Sequence, residues 1–246
     1  MPRFFLPRGQ IDDNRGWITG QELIHLTKVL RLAPGDPVTL FDDSGWEHEA
    51  VIRALSPERA EVAILSSREA DRESVLEIAL AVALTKGEKM DFVVEKATEL
   101  GVQTIVPFIS VFAVPKLDEA KASKRSERWR KIALSAAKQC GRTKVPRLLP
   151  LCEFGDLVKR PQTQALKLLF WEKERSRTLH DIHEERRDAE SALLVVGPEG
   201  GFSSEEARLA QEHGFEPVSL GRRILRAETA AVAAATLAQY LWGDLR

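Results

Sequence analysis

The spacing of apolar residues changes along the chain. Up to about residue 70 they come in short runs separated by polar turns. Val38-Thr39-Leu40-Phe41 precedes the turn Asp42-Asp43-Ser44-Gly45, and strand-like stretches follow at 49–54 and 60–65. Thr19–Leu30 has the spacing of one short helix, and Gly35 with Pro37 marks the turn after it. Residues 66–74 have little to bury and read as a linker.

Beyond the linker, strands alternate with helices. Leu76–Leu84 is a continuous apolar run, as a strand covered on both faces requires. Met90, Val93, Val94, Ala97 and Leu100 follow at helical spacing, with Gly101 placed as a C-terminal cap. The pattern then predicts strands at 104–109, 166–171, 192–196 and 217–220, and helices at 127–140, after Ser203 and at 228–242. Such alternation indicates an α/β layer with a largely parallel sheet, whose strand order the pattern does not give. The expected division is a small β-rich domain over residues 1–70 and an α/β domain over residues 75–246.

Composition narrows the classes. With 246 residues, 43% hydrophobic and 30% charged, the chain has an ordinary globular balance. Cys140 and Cys152 are too few for a disulfide framework and lack zinc spacing, and the five histidines show no HExxH pattern, so no metal is expected. The proline-interrupted start is too short for a signal peptide. No apolar run approaches the roughly 20 residues of a membrane span. The expectation is a soluble cytoplasmic protein.

Charge is unevenly spread. The net charge is −1, yet Lys116 to Arg147 holds eleven Lys/Arg against three acids. Such a segment either attracts a polyanion or is the solvated face of a helix. Arg128, Trp129, Lys138, Gln139 and Arg142 put cations and an aromatic on one element, which suits phosphate attraction beside a stacking surface, unless Trp129 is core. Residues 172–190, with seven acids and five bases, read as a solvated connection.

Two segments carry candidate chemistry. In Leu193–Val196 followed by Gly197-Pro198-Glu199-Gly200-Gly201, a buried strand runs into a glycine-rich loop, and Ser203 and Glu206 then have capping-box spacing. Ligands of parallel α/β sheets bind beyond the carboxyl ends of strands, and glycines let backbone approach them closely. The loop has no GxGxxG and no lysine followed by Ser/Thr, so it matches neither phosphate-binding pattern. Glu199 at its centre would repel phosphate but suits an ammonium or sulfonium. Alone, the loop reads equally as a tight turn. The second segment, Leu220–Ala230, joins a strand to an alanine-rich helix and holds Arg222, Arg223 and Arg226, charges too costly to bury for stability. Lys96 and Glu99 form a pair of the kind usually solvated on a helix.

Taken in order, Lys86-Gly87-Glu88-Lys89-Met90-Asp91, Glu99-Leu100-Gly101-Val102, Gln139-Cys140-Gly141-Arg142, Gly197–Gly201 and Leu220–Ala230 resemble the small-subunit ribosomal RNA uridine-N3 methyltransferases of the SPOUT superfamily. His25-Leu26-Thr27-Lys28-Val29-Leu30-Arg31 is similar to that family's PUA-like RNA-binding domain. The resemblance spans nearly the whole chain. It implies a SPOUT-type parallel sheet with a C-terminal trefoil knot behind a PUA-like β-barrel, and a cytoplasmic homodimer with its active sites at the subunit interface. It implies S-adenosyl-L-methionine as cofactor and 16S ribosomal RNA, free or in the assembled small subunit, as substrate. Carried over by motif, the cofactor would meet Gly197, Glu199, Gly200, Gly201, Leu220, Gly221, Ile224, Leu225, Arg226, Thr229 and Ala230, with Leu169, Phe170 and Trp171 as a third wall. The stretch that would carry this wall, Phe170-Trp171-Glu172-Lys173, departs from the family pattern.

The uridine must be unpaired or flipped to expose N3. Arg142 and Arg226 are the candidates to stabilise charge on the uracil carbonyls, and Glu199 would orient the cofactor or act as base. Phosphate contacts are expected from Arg3, Lys28, Arg31, Lys86, Lys116, Arg128 and Arg142. Competing readings are a SPOUT enzyme acting on ribose 2′-OH or another base, and an RNA-binding module without catalysis. The absent dinucleotide fingerprint argues against an NAD enzyme.

Overall fold

A computed structural model describes residues 1–12, 14–113 and 119–245. The chain divides into two compact units, residues 1–73 with 137–145, and residues 74–136 with 146–246.

The first unit contains β1 (Arg3–Phe5), β2 (Ile11–Asp12), β3 (Arg15–Thr19), α1 (Gly20–Ile24), β4 (Pro37–Phe41), β5 (Trp46–Leu55) and β6 (Arg59–Glu69). They form one six-stranded sheet in the order β1-β4-β5-β6-β3-β2, antiparallel except for β1 with β4. Alternate positions turn inward, so Val38, Leu40, Ile52, Ala60 and Val62 share a core with Phe4 and Ile18. The expected helix at 19–30 is α1 followed by a single π turn, His25–Val29, and it adds Leu23 and Leu26 to that core. The linker begins later than expected, because β6 runs on to Glu69 by pairing with the start of β5.

Residues 137–145 return to this unit, which the sequence did not suggest. Arg142 is 3% exposed, and its Nε and Nη2 donate to Glu73 Oε2 at 3.0 and 2.7 Å. Glu73 Oε1 accepts from the backbone N–H of Thr143 and Lys144, both at 3.1 Å. Arg3 pairs with Glu47 and donates to the carbonyls of Gly141 and Arg142, both at 3.1 Å.

The second unit contains β7 (Glu77–Ala83), α2 (Lys89–Glu99), β8 (Thr104–Ile109), α3 (Glu119–Cys140, whose last turn falls in the first unit), β9 (Arg147–Leu148), β10 (Cys152–Glu153), α4 (Phe154–Lys159), β11 (Leu166–Phe170), α5 (Leu179–Glu185), β12 (Ser191–Val196), α6 (Ser204–Glu212), β13 (Glu216–Val218) and α7 (Ala227–Trp242). The sheet order is β10-β8-β7-β12-β11-β13 with β9 beside β8, and every pairing is parallel. Both faces of its middle are covered. Helix α7 packs on β7 and β12, while α4 and α6 close the other face around Phe108, Phe154 and Phe202. Gly101 ends α2 at φ +79, with its N–H on Thr98 O and that of Val102 on Ala97 O, a Schellman cap.

Chain order and strand order disagree at the end of the sheet. Residues 219–226 lead from the edge strand β13 to α7, which packs on β12 and β7, two and three places along the sheet. Two further expectations need correction. Helix α3 begins at Glu119 rather than 127. The supposedly solvated stretch 172–190 holds α5, started by a Thr178–Asp181 capping box and buried through Leu179 and Ile182.

Glu73→Ala is expected to lower unfolding free energy by about 3 kcal/mol, since it strips a buried guanidinium of its carboxylate. A change below about 1 kcal/mol in urea denaturation, the range of an exposed ion pair, would show the pair to be dispensable.

Candidate active site

Phe170, Val196 and Val218 stand side by side in the parallel register. The chain therefore leaves β11, β12 and β13 at one level, and the three following loops converge. They enclose a cleft of about 300 Å³. Phe170, Trp171, Glu172 and Arg175 form one wall, Val196–Gly201 the second, Ser219–Leu225 the third, and Ala227 and Ala230 contribute from α7.

The glycine loop is tightly held. The Phe202 ring lies 3.0 Å from where a Gly197 side chain would begin, and Phe112 Cβ lies 2.9 Å from that point at Gly200. Gly201 adopts φ +71, and the Glu172 carboxylate occupies the space its Cβ would need. Backbone here comes as close to its neighbours as only glycine allows. The expected capping box is present, Ser203 N–H donating to Glu206 Oε2 at 3.0 Å and Glu206 N–H to Ser203 Oγ at 3.1 Å. Glu206, 6% exposed, also accepts from Ser110 Oγ at 3.2 Å and Val111 N at 3.0 Å. One buried carboxylate thus joins the loop after β8 to the end of the glycine loop.

The other two walls are joined through backbone. Trp171 N–H donates to Val218 O at 3.1 Å, and Ser219 N–H donates to Arg177 O at 2.8 Å. Glu174 Oε1 takes the N–H groups of Arg175, Ser176 and Arg177 and the Ser176 hydroxyl, all within 3.0 Å. These donors, Arg177 N–H first and Ser176 next, hold its carboxyl at about 2.

Glu199 meets Lys89 Nζ at 2.7 Å. Partial burial, the largest single influence, raises the carboxyl pKa, but the Lys89 hydrogen bond, a backbone hydrogen bond and the charges of Lys89 and Lys86 together outweigh it and leave Glu199 below the usual carboxylate range. The same contact raises Lys89. Both stay charged at neutral pH, so Glu199 is a weak base and already holds one cation.

Of the residues predicted from sequence, Phe170, Trp171, Gly197, Glu199, Gly200, Gly201, Leu220, Gly221, Ile224, Leu225 and Ala230 line the cleft. Leu169 does not; it is 0% exposed in the core beneath. Arg226 and Thr229 are exposed at the start of α7, outside the lining. Glu172, from the stretch that departs from the family pattern, lines the cleft too, and Arg175, Ser219, Arg222 and Arg223 do so without having been predicted. The excess of arginine around 222–226 was a usable signal; Arg175 lay hidden in a segment read as a connection.

The basic residues fare unevenly. Lys28, Arg31 and Lys86 are exposed. Arg3 and Arg142 instead spend their guanidinium groups on Glu47, Glu73 and backbone carbonyls, which argues against phosphate contact by either and against Arg142 at the uracil. Arg128 is paired with Glu88 and Asp91. Trp129 is 3% exposed, with Nε1 donating to Asp91 at 3.0 Å, so it is core and offers no stacking surface. Lys116 lies outside the described residues. Among the described residues no group of three His, Cys, Asp or Glu could hold a metal.

Because its folded pKa is depressed, Glu174 contributes stability that is complete above about 4.5 and lost as pH falls toward about 2. Glu174→Gln should therefore melt below the wild type at neutral pH, with the gap closing over that acid range. A pH-independent gap in thermal melts would refute this role.

Known proteins share this architecture. Residues 72–239 match an RNA methyltransferase domain, and residues 18–65 match an RNA methyltransferase PUA domain. The ribosomal RNA small subunit methyltransferase E of Bacillus subtilis is 32% identical over 98% of this chain and 96% of its own. A Legionella pneumophila methyltransferase, solved with S-adenosylmethionine, superposes with a TM-score of 0.92 at 37% identity, covering 99% of each chain. The Neisseria gonorrhoeae ribosomal RNA small subunit methyltransferase E, also bound to S-adenosylmethionine, gives a TM-score of 0.91 at 38% identity over both full chains. With a SPOUT-type parallel sheet, a PUA-like β-rich unit before it and these likenesses along its whole length, the chain belongs to the ribosomal RNA small subunit methyltransferase E family.

Proposed function

We propose that this protein transfers the methyl group of S-adenosylmethionine to N3 of one uridine in 16S ribosomal RNA. The observation that carries the reading is the cleft at the ends of β11, β12 and β13, with an ionised Glu199 at its glycine wall and no phosphate-binding lysine motif. Its volume is at the lower end of small-molecule sites. Glu199 and Glu172 suit the ammonium and sulfonium of the cofactor, the glycine backbone suits its polar edges, and Phe170, Ile224 and Leu225 suit its adenine ring.

When bound, the cofactor supplies an electrophilic methyl on a sulfonium. The protein's own part is to orient the target and manage charge. N3 becomes nucleophilic as the imide proton leaves and negative charge grows on the uracil carbonyls. Arg226, exposed beside the cleft and without an ion-pair partner among the described residues, is suited to stabilise that charge. Glu199 takes the orienting role rather than that of base, because its carboxyl is held below the ordinary range by Lys89. Arg175, Arg222 and Arg223 give the opening a positive lining for the RNA backbone, with Lys28, Arg31 and Lys86 as further exposed cations.

A homodimer fits the exposed apolar residues Leu237 and Tyr240 on α7, at 40% and 59% exposure. No helix of the described chain is long and apolar enough to cross a membrane. The proposed setting is the cytoplasm, where ribosomal subunits assemble.

The test is methylation of 16S RNA and of small subunits lacking the modification, followed by nucleoside digestion and mass analysis. N3-methyluridine is the expected product, and Arg226→Ala should reduce kcat by about 100-fold, the loss typical of one oxyanion-type donor. Methyl found on ribose or on another base would overturn the assignment.

A further inference from the structure

Lys89, outside the cleft lining, pairs with Glu199 and lies near a second carboxylate, Glu228, which is also outside the lining. Lys89 is the first residue of α2, just beyond the carboxyl end of β7. Its Nζ hydrogen-bonds Glu199 Oε1 at 2.7 Å and lies 3.7 Å from Oε2 of Glu228, in the first turn of α7. The Glu228 side chain is 15% exposed, and its Oε2 is buried with no hydrogen-bond partner among the described residues. One ammonium therefore faces two carboxylates and hydrogen-bonds one of them. Lys86 and Arg226 act on this cluster only through space.

The three charges leave one net negative charge against the glycine wall. We infer that the Lys89–Glu199–Glu228 cluster lets this protein tell S-adenosylmethionine from its product, S-adenosylhomocysteine, by charge. The inference rests on the cofactor proposed above. Methyl transfer breaks the S–CH3 bond, whose electron pair stays on sulfur, and forms N3–CH3 as the N3 proton passes to solvent water, so a neutral thioether replaces the sulfonium. The cofactor, with ammonium, sulfonium and carboxylate, has one net positive charge; the product has none. A net negative cluster favours the first and is indifferent to the second. Glu228 completes the device. Lys89 can pass from Glu199 to Glu228, which frees Glu199 for a cationic ligand while the ammonium keeps a partner and the buried Oε2 gains one. Lys89 and Glu228 are thus positioning residues for Glu199.

Calorimetric titration of the full chain with each ligand tests this through a ratio of affinities. Lys89→Met makes the cluster more negative and should raise the preference for S-adenosylmethionine by about two- to fivefold, the range of a partly exposed charge. Glu228→Gln should lower it by a similar factor, and the double variant should return near the wild-type ratio. Lys89→Arg keeps the charge and should keep the ratio, so a folding defect in Lys89→Met cannot hide the answer. A purely structural cluster would weaken both ligands alike, and unchanged ratios across the series would overturn the inference while leaving the cofactor reading intact. Failure of the wild-type protein to bind either ligand would remove both.

Discussion

Parallel pairing of β12 between β7 and β11 is the constraint on which the second unit depends. It sends four consecutive carboxyl ends to one edge of the sheet, and register aligns Phe170, Val196 and Val218 at that edge. Three loops distant in sequence then have nowhere to go but toward each other. Such pairing needs strands buried on both faces, which explains why β7 and β12 are almost wholly apolar and why the alanines of α7 lie flat against them. The cleft is a consequence of that layer and not a feature added to it.

Strand pairing brings the loops together but does not fix their shape. That task falls to carboxylates. Glu206 gathers a backbone N–H, a hydroxyl and a capping interaction from the glycine loop and the loop after β8. Glu174 gathers three successive N–H groups in the loop after β11. Each replaces water around backbone donors that a loop leaves unpaired, and each bond to a charged acceptor is stronger than a neutral one. A wall fixed by internal hydrogen bonds is already in place when a ligand arrives.

The sequence revealed what depends on periodicity and local spacing. Strands at 104–109 and 192–196, the Schellman glycine at 101 and the Ser203–Glu206 cap were all legible, because each is decided by residues within one or two turns. Helix α5 was not, since only Leu179 and Ile182 of its seven residues are buried and the charges around them dominate the pattern. Nor was the return of residues 137–145 to the first unit, which depends on Glu73 meeting Arg142 across a sequence separation of 69. Partners that far apart leave no mark on local composition. The same blindness hid Arg175, which reaches the cleft because β11 ends level with β12.

Charge counting misled in an instructive way. The basic stretch around 116–147 looked like the natural place for RNA, yet Arg128 and Arg142 are paired with acids from other elements, and Trp129 lies in the core. A cation already answered by a carboxylate has little left to offer a phosphate. Among the described residues lining the cleft, Arg175, Arg222 and Arg223 have no carboxylate partner. Glu199 shows the converse. A carboxylate at the heart of a glycine loop excludes phosphates from that wall, while arginines line the opposite ones. A single cleft can then hold a cationic cofactor on one side and draw a polyanion toward the other.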